Sequence, residues 1–313
     1  MRKTDKDNQS NAIQPLPSIE FGYTPNLLLL GNGLCRSFDT ESWEDIIKGS
    51  IEKYKCAYKY EDFKNMPANM QIVVATHNHV NHEMGYIQNK LIKPIGADQR
   101  EYIRDVINIG ITDILTTNYD YNIEQALGCE FGLGHFQKCR RWTKAVSEPE
   151  KRTNLFQYSL ISAEEGFKRI WHIHGDVCYR ESMIMGHYYY GKQLFAIQDK
   201  LPERMATIKA SITKQIPWQP IRWTDLFLMG NVHIVGLGLY FTETDLWWLL
   251  ECKNRHFPDT KVYFYQPKGK IHKDIRMMLE LHDNVEIVDK YTITGKDYKS
   301  YYQSVLADIG SSV

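Results

Sequence analysis

Two short polar motifs in this chain combine residue types that can hold a ligand and move a proton. Thr117-Asn118-Tyr119-Asp120 follows a short apolar run, and His172-Ile173-His174-Gly175-Asp176 ends another run further along the chain. The Asn118 amide can orient a hydroxyl or a water, and an imidazole of near-neutral pKa such as that of His174 can accept a proton. Because the carboxyl ends of parallel strands meet at one edge of an open α/β sheet, we expect the two motifs to share a cleft.

Each motif also has a purely structural interpretation. Asn or Asp at the point where a strand ends and a helix begins is often a helix N-cap, which would explain Asn118 or Asp120. Alternation along a strand places His172 and His174 on one face, and a buried histidine with satisfied hydrogen bonds is the default interpretation of His172. His174 lies at the strand terminus, where Asp176 can orient its imidazole, so His174 is the stronger catalytic candidate.

Two glycine pairs follow apolar runs and predict turns at which the backbone can approach a ligand. Gly31-Asn32-Gly33 comes after four consecutive leucines, and Gly236 and Gly238 come after 232–235. Such a turn before a helix exposes N–H groups that suit a phosphate, although a plain structural turn has the same sequence pattern. Arg36 occupies the sixth position of the dinucleotide fingerprint, where a glycine belongs, which argues against an ordinary Rossmann dehydrogenase.

A third cluster imitates a metal-binding motif. His77, His79 and His82 follow an apolar run with the spacing that begins the dinuclear site of metallo-β-lactamases. The aspartate of that motif is replaced by Asn81, whose neutral amide is a poor ligand for a hard dication, and apolar residues recur around it at helical spacing. A helix would separate the histidines, so a metallohydrolase remains an alternative that the pattern does not favour.

Composition excludes several other classes of protein. The 313 residues carry 38 Lys and Arg against 38 Asp and Glu, so no overall field is available to hold a nucleic-acid backbone. No apolar run approaches the roughly 18 residues of a membrane span, and the amino-terminal residues lack the apolar core of a signal peptide. The cysteines follow neither a zinc nor a disulfide spacing. We therefore expect a cytoplasmic protein that binds neither membrane nor nucleic acid and needs no metal.

Short apolar runs alternate with amphipathic stretches along most of the chain. Continuous runs predict strands buried on both faces, and they occur at 27–30, 113–116, 169–173, 182–185, 232–235, 262–265 and 285–288. Helical spacing occurs at 42–54, 73–91, 100–109, 121–127, 245–253 and 298–309. The alternation predicts an α/β fold, with a doubly wound, Rossmann-like parallel sheet and helical insertions.

Three stretches depart from this alternation. Residues 1–20 are polar and predict a flexible amino-terminal arm, which would precede one domain formed by residues 21–313. Residues 135–168 and 191–224 are rich in charged and aromatic side chains, and we expect both to be insertions that leave the sheet.

In chain order, the first glycine turn, the Asn118 motif, the His174 motif and the second glycine turn resemble the sirtuin-like superfamily, and most closely its bacterial anti-phage branch. In sirtuins the corresponding motifs surround bound NAD. The resemblance implies that Asn118 contacts the nicotinamide ribose and helps to hold water, that His174 is the essential base, and that Asp120 supports the pocket. It further implies contacts with NAD by Gly31, Asn32, Gly33, Cys35, Thr117, Asp120, Gly175, Gly236, Gly238 and Glu243.

Departures from the sirtuin deacylases narrow the activity that the resemblance implies. Deacylases carry a four-cysteine zinc module after the catalytic histidine, and this chain has only Cys178 and Cys252 there. Thr117 stands where deacylases have glutamine, and Leu239 with Tyr240 stands where an acyl-lysine peptide is received. The anti-phage relatives also lack the zinc module and hydrolyse NAD. The resemblance therefore implies metal-independent hydrolysis of NAD to nicotinamide and ADP-ribose.

Unrestrained hydrolysis of NAD would poison the cell that makes the enzyme. The resemblance therefore implies restraint by formation of a homo-oligomer, by the arm of residues 1–20, or by a separate sensor protein such as a helicase-like ATPase. The same pocket could instead belong to a non-catalytic sensor or scaffold subunit that binds NAD or ADP-ribose. A pocket that only binds does not need the base that His174 offers.

Overall fold

A mostly parallel β-sheet with helices on both faces forms the framework of the protein. The computed structural model describes residues 16–38, 42–77, 84–132, 135–137, 140–143, 154–164, 166–179 and 182–313. Its strands are β1 Asn26–Leu30, β2 Asp113–Thr116, β3 Glu130–Gly132, β4 His135–Gln137, β5 Arg140–Thr143, β6 Gln157–Ala163, β7 Gly166–His172, β8 Asn231–Val235, β9 Val262–Tyr265 and β10 Val285–Val288.

Eight of these strands form one sheet in the order β10-β9-β8-β1-β2-β7-β6-β5, while β3 and β4 pair separately. Strands β1, β2, β7, β8, β9 and β10 are parallel, and β6 and β5 continue the edge in antiparallel pairing. The chain leaves β1 toward β2 on one side and returns to β8 on the other, so the strand order reverses at β1. This is the arrangement that places ligands at the carboxyl ends of the central strands.

Successive residues of β1 alternate between two cores, one on each face of the sheet. Leu27 and Leu29 pack in a cluster that includes Leu249 of the helix after β8, whereas Leu28 and Leu30 pack in a second cluster. Burial on both faces explains why the strand reads as a continuous leucine run rather than as an alternating pattern. The predicted α/β class with a mostly parallel, doubly covered sheet is confirmed.

The helices fill the two faces and one end of the sheet. They are α1 Gly33–Arg36, α2 Trp43–Lys53, α3 Tyr60–Phe63, α4 Ala68–Ala75, α5 Met84–Leu91, α6 Ala97–Ile107, α7 Asn122–Ala126, α8 His187–Thr213, α9 Trp223–Met229, α10 Thr244–His256, α11 Lys273–Leu279 and α12 Tyr298–Ser312. Helix α2 begins as predicted, because the Ser42 side chain accepts from the Asp45 backbone N–H and the Asp45 carboxylate accepts from the Ser42 backbone N–H.

The structure corrects several predicted boundaries. The helical spacing at 73–91 does not produce one helix, because α4 ends at Ala75 and His77 has a positive φ of 50°. Residues 78–83 lie outside the described part. The run at 182–185 is not a strand; it is an irregular segment in which the Ile184 N–H donates to the His174 carbonyl at 2.8 Å. Its side chains Met183 and Met185 pack in a small hydrophobic core with helices α2 to α5.

Parts of the stretches predicted to leave the sheet are built into it or packed on it. Strand β6 pairs with β7 over five residue pairs, so this portion of 135–168 lengthens the sheet instead of leaving it. The second stretch forms most of helix α8, which continues through Pro202 and contacts α9 and α10. Whether the two stretches are insertions relative to other proteins stays a prediction.

The end of the predicted arm is attached to the domain. Ile19 exchanges backbone hydrogen bonds with Trp218 at 2.8 and 3.0 Å, and the Gln219 amide donates to the Leu16 carbonyl at 2.9 Å. Leu16 and Ile19 are both buried. Residues 16–20, which were assigned to the arm, are therefore packed on the domain, and residues 1–15 lie outside the described part.

A buried lysine fixes helix α10, whose first turn faces the carboxyl ends of the strands. The Lys253 ammonium donates to the carbonyls of Phe227, Leu228 and Gly230 and to the Thr260 hydroxyl, at distances from 2.6 to 3.0 Å. It thereby satisfies carbonyls at the end of α9 that the helix itself leaves unpaired. Within the described residues, no helix combines the length and apolarity needed to cross a membrane.

Candidate active site

The carboxyl ends of β1, β2, β7 and β8 border one cleft of about 610 Å³. Helices α2, α4 and α5 close one side of this cleft with Trp43, Ala68 and Leu91, and the first turn of α10 closes another with Glu243. The two motifs that contain Asn118 and His174 both reach it. The convergence expected from the order of the sheet is therefore present.

The two glycine turns pack directly against each other at the base of the cleft. The Gly31 N–H donates to the Val235 carbonyl at 3.0 Å and the Gly33 N–H donates to the Gly236 carbonyl at 2.9 Å. A side chain on Gly31 or Gly33 would collide with the backbone of Gly236, and Gly236 itself has a φ of +69°. These glycines are thus required by the packing of one turn on the other, and the close packing forms a cleft wall made largely of backbone.

Asn118 lies buried at the end of β2, between the glycine turn and His172. Its backbone N–H donates to the Thr116 hydroxyl at 3.1 Å, and its carbonyl accepts from His172 Nδ1 at 2.7 Å. The side-chain amide makes only long contacts, 3.5 Å to the Gly31 carbonyl and 4.0 Å to the Cys35 sulfur. The backbone of Asn118 is therefore fixed, while its amide retains hydrogen-bonding capacity toward the cleft.

His172 is held behind Asn118 and not in the cleft. Its Nε2 lies 2.8 Å from the carboxylate of Glu124 in α7, and its ring stacks on Tyr121 at a centroid distance of 5.0 Å. Burial by itself would lower the pKa of His172, but the charge and hydrogen bond of Glu124 outweigh this effect and raise the pKa to about 9. His172 is therefore a buried histidine with satisfied hydrogen bonds, as the sequence suggested. In addition, its hydrogen bond to the Asn118 carbonyl fixes the backbone of Asn118.

The partners of His174 come from α10, on the opposite face of the sheet from α7. Its Nε2 lies 3.0 Å from the carboxylate of Asp245 in α10, and its Nδ1 lies 3.7 Å from Glu243. The expectation that His172 and His174 share a face is wrong, because β7 ends at His172 and the chain turns before His174. Their carboxylate partners come from α7 and α10, which pack on opposite sides of the sheet.

The electrostatics of His174 differ from the predicted near-neutral imidazole. Burial would lower its pKa, but the nearby charges of Asp245 and Glu243 outweigh burial and raise the pKa to about 9. Burial raises the pKa of the Glu243 carboxyl to about 7, although the positive charge of His174 acts in the opposite direction. At neutral pH the imidazole therefore carries the proton, and Glu243 is the carboxyl group beside His174 that titrates in this range.

Asp120 shapes the start of α7 at the mouth of the site. Its carboxylate accepts from the Asn122 backbone N–H at 3.1 Å, in the turn just before the helix. The N-cap of α7 is Tyr121, so neither Asn118 nor Asp120 has the N-cap position that the sequence left open. Burial raises its pKa to about 6. Cys35 is fully buried beside Asn118, and burial raises the pKa of its thiol, so it remains protonated.

The predicted site residues divide into two groups by position. Those that line the cleft are Asn32, Gly33, Thr117, Asn118, Asp120, His174, Gly236, Gly238 and Glu243. Gly31, Cys35 and Gly175 lie outside this lining. Gly31 and Cys35 support it from behind, and Gly175 has a φ of +83° in a turn whose backbone packs against Ser182.

Sequence reasoning did not assign Asp245, Lys90 or Lys93 to the site, and it noted Arg36 only for its place after the first glycine turn. Asp245 belongs to a Thr-Glu-Thr-Asp stretch that reads only as the start of a helix, and its contact with His174 spans a separation that the chain pattern does not reveal. Arg36, Lys90 and Lys93 line the cleft and supply positive charge beside it. The signal available for Arg36 was its place after the glycine turn.

A second cavity of about 270 Å³ adjoins the cleft across the second glycine turn. It shares Gly236, Leu237 and Gly238 with the cleft, and its remaining walls are mostly aromatic. Those walls are formed by Tyr265, Gln266, Pro267, Lys270, Tyr298, Tyr301 and Tyr302. An elongated ligand could pass from one cavity to the other along the backbone of the turn.

The metal-site alternative depends mostly on residues that lie outside the described part. His77 is exposed, with its Nε2 3.4 Å from the Lys55 carbonyl, and His79 and His82 lie outside the described part. In the part of the chain that the structure describes, His174, Glu243 and Asp245 form the group whose polar atoms approach within 4.8 Å of one another. Because His174 Nε2 is hydrogen-bonded to Asp245, we interpret this group as one that shares a proton.

Comparison with known families supports the resemblance noted in the sequence. Residues 112–215 match the model of the SIR2-like domain. The matched stretch contains Asn118 and His174, whereas the glycine turns at 31 and 236 fall outside it. No curated protein matches the chain.

Proposed function

We propose that this protein hydrolyses NAD, breaking the bond between nicotinamide and ribose to give nicotinamide and ADP-ribose. The observation that carries the proposal is the meeting of Asn118 and His174 in one cleft beside the glycine turns. Both residues fall within the stretch that matches the SIR2-like domain, a family compatible with chemistry on NAD.

The cleft has the charges that this reaction requires. Loss of nicotinamide leaves positive charge on the ribose, and nearby carboxylates stabilise such an oxocarbenium-like state. Glu243 and Asp120 both line the cleft and can supply that negative charge. Nicotinamide leaves as a neutral amide, so its departure needs no strong acid.

Binding of the remainder of NAD follows from the same walls. Arg36, Lys90 and Lys93 line the cleft and complement a pyrophosphate. The tyrosine-lined second cavity, reached past Gly236 and Gly238, can hold the adenosine.

Asn118 and His174 take separate roles in this proposal. The amide of Asn118 does not exchange protons at neutral pH, so it orients the ribose or a water by hydrogen bonding. His174, charged and held by its hydrogen bond to Asp245, places its positive charge 3.7 Å from the Glu243 carboxylate.

The finer biological assignment is also a proposal. We infer that the enzyme works in the cytoplasm as the effector of an anti-phage system of bacteria, restrained by a homo-oligomer or by a sensor protein such as a helicase-like ATPase. The support is the resemblance to zinc-less relatives. A non-catalytic NAD sensor remains the competing assignment.

A direct assay separates catalysis from binding. Purified protein is incubated with NAD, and nicotinamide release is followed by chromatography beside NAD binding by calorimetry. Asn118→Ala should lower turnover by about 10² to 10⁴-fold because it removes the positioning group. It should not unfold the protein, since the amide makes only long contacts. Glu286→Gln, an exposed change on β10, is the control and should behave as wild type.

Two results would contradict the proposal. Wild-type protein that binds NAD but releases no nicotinamide would favour the sensor assignment. Undiminished turnover in Asn118→Ala would place the chemistry elsewhere. His174→Ala is less informative, because it leaves the Asp245 carboxylate buried without its partner and destabilises the fold.

A further inference from the structure

Both ring nitrogens of His174 face carboxylates. Nε2 lies 3.0 Å from Asp245 and Nδ1 lies 3.7 Å from Glu243, while the edge of the ring contacts Tyr190. The His174 side chain is 2% exposed. A water or ribose hydroxyl in the cleft therefore has little access to either nitrogen.

Glu243 is the most accessible member of this group. Its side chain is 15% exposed, against 0% for Asp245, and it lines the cleft together with His174. Its buried Oε2 has no hydrogen-bond partner, because the His174 Nδ1 is too far away for a hydrogen bond. Tyr190 also hydrogen-bonds to this carboxylate. The buried Oε2 faces the charged imidazole, which favours the ionised carboxylate, and the exposed part of the Glu243 side chain borders the cleft. The carboxylate can therefore accept a proton from a molecule bound in the cleft.

We propose that Glu243 is the catalytic base of the NAD hydrolysis proposed above, and that His174, clamped by Asp245, is a positioning residue that stays charged while Glu243 takes the proton. The inference rests on that proposed function and changes which side chain performs its proton transfer.

The step balances without any further reactant. The bond between ribose C1′ and the nicotinamide nitrogen breaks, and its electron pair goes to nicotinamide, which leaves neutral. The oxygen of water forms the new bond to C1′, and one of its protons moves to the Glu243 carboxylate. That proton then passes to solvent, so NAD and water give nicotinamide, ADP-ribose and one proton.

The groups around Glu243 determine the pH dependence. They are His174 in the turn after β7, Asp245 in the first turn of α10, Tyr190 of α8 and Tyr119 after β2. Burial raises the pKa values of both tyrosines, so they stay neutral. His174 is charged until about pH 9, so within this group Glu243, with a pKa of about 7, is the one that loses its proton near neutrality. Asp120, which lines the same cleft, has a pKa of about 6 and is mostly ionised at pH 7. Turnover should therefore rise with pH through about 7.

The test compares wild type with Glu243→Gln, Glu243→Asp and the control Glu286→Gln. The glutamine keeps the shape of the side chain but cannot accept the proton, so kcat should fall by about 10² to 10⁴-fold with the affinity for NAD unchanged. The rise of turnover with pH should disappear in Glu243→Gln. In Glu243→Asp turnover should still rise with pH, but kcat should be lower than in wild type, because the side chain is one methylene shorter and its carboxylate lies further from the bound NAD.

A second measurement does not depend on turnover. The titration of His174, followed by NMR, should move to lower pH in Glu243→Gln, because one of its two negative neighbours is gone. If the pKa of His174 were the same in Glu243→Gln as in wild type, the electrostatic contact between His174 and Glu243 would be refuted. Glu243→Gln with kcat within about threefold of wild type would overturn Glu243 as the base while leaving NAD hydrolysis intact. Wild type that binds NAD without hydrolysing it would refute the proposed function and this inference with it.

Discussion

Replacing Asp245 with asparagine should destabilise the protein strongly at low pH and weakly at high pH. Asp245 and His174 are almost wholly buried, and their polar atoms lie 3.0 Å apart. The asparagine keeps the shape of the side chain and removes the charge. The His174 imidazolium then loses its closest negative partner inside the protein, and its pKa should fall toward the value of an ordinary histidine.

The size of the effect follows from the pKa of His174. A rise from 6.5 to about 9 corresponds, at about 1.4 kcal/mol per pH unit, to on the order of 3 kcal/mol of stability. Because the folded-state pKa lies above the unfolded value, this stability is fully present below about pH 6.5 and is lost as pH rises through about 9. Glu243 keeps part of the shift in the variant, so we expect a loss of about 2 to 3 kcal/mol at low pH.

Urea unfolding of wild type and Asp245→Asn between about pH 6 and pH 10 measures this difference directly. A matched control is Asp113→Asn, because Asp113 is also buried and accepts two hydrogen bonds from Arg169, at 2.7 and 2.6 Å. Arginine does not lose its proton in this range, so the cost of Asp113→Asn should be independent of pH. A cost of Asp245→Asn that is equally independent of pH would refute the charged state assigned to His174.

Two further changes test the glycine turn and the absence of a metal requirement. Gly236→Ala should cost about 1–2 kcal/mol in urea unfolding and weaken NAD binding, because φ is +69° and the new methyl group would meet Leu34 and Gly33. Gly85→Ala in α5, where nothing lies within 4 Å, should be neutral or stabilising, and equal costs at both glycines would contradict this explanation. Prolonged chelation with EDTA should leave NAD turnover unchanged, because we assign a proton rather than a cation to the group around His174. Loss of activity that is restored by added zinc or manganese would show that this assignment is wrong.

The sequence predicted the framework well, because burial on both faces leaves a continuous apolar run that is easy to recognise. The Leu27–Leu30 run became a central strand, and the strands at 232–235 and 262–265 lie where they were expected. The run at 182–185 has the same apolar character but packs beside helices as an irregular segment. A run of apolar residues indicates that the segment is buried, but it does not show whether the segment is a strand or a loop packed in the core.

The polar side chains of the site were predictable only where they interrupt such a run. Asn118 and His174 stand directly after strands, and strand order brings them together. Asp245 could not be assigned, because its side chain meets His174 through the packing of α10 on the sheet and not through any local pattern. The face of His174 was mispredicted for a related reason, since alternation holds only while the strand continues, and β7 ends at His172.

His172 and His174 both keep their positive charge near neutral pH. Each imidazole is paired with a carboxylate from a different helix, Glu124 for His172 and Asp245 for His174, and each pair carries its proton up to about pH 9. Burial raises the pKa of Glu243 to about 7, and its Oε2 has no hydrogen-bond partner. Proton transfer at neutral pH therefore falls to the carboxylate beside the histidine. This predicts that a change at Glu243 alters the pH profile of turnover, while a change at Asp245 alters mainly the pH profile of stability.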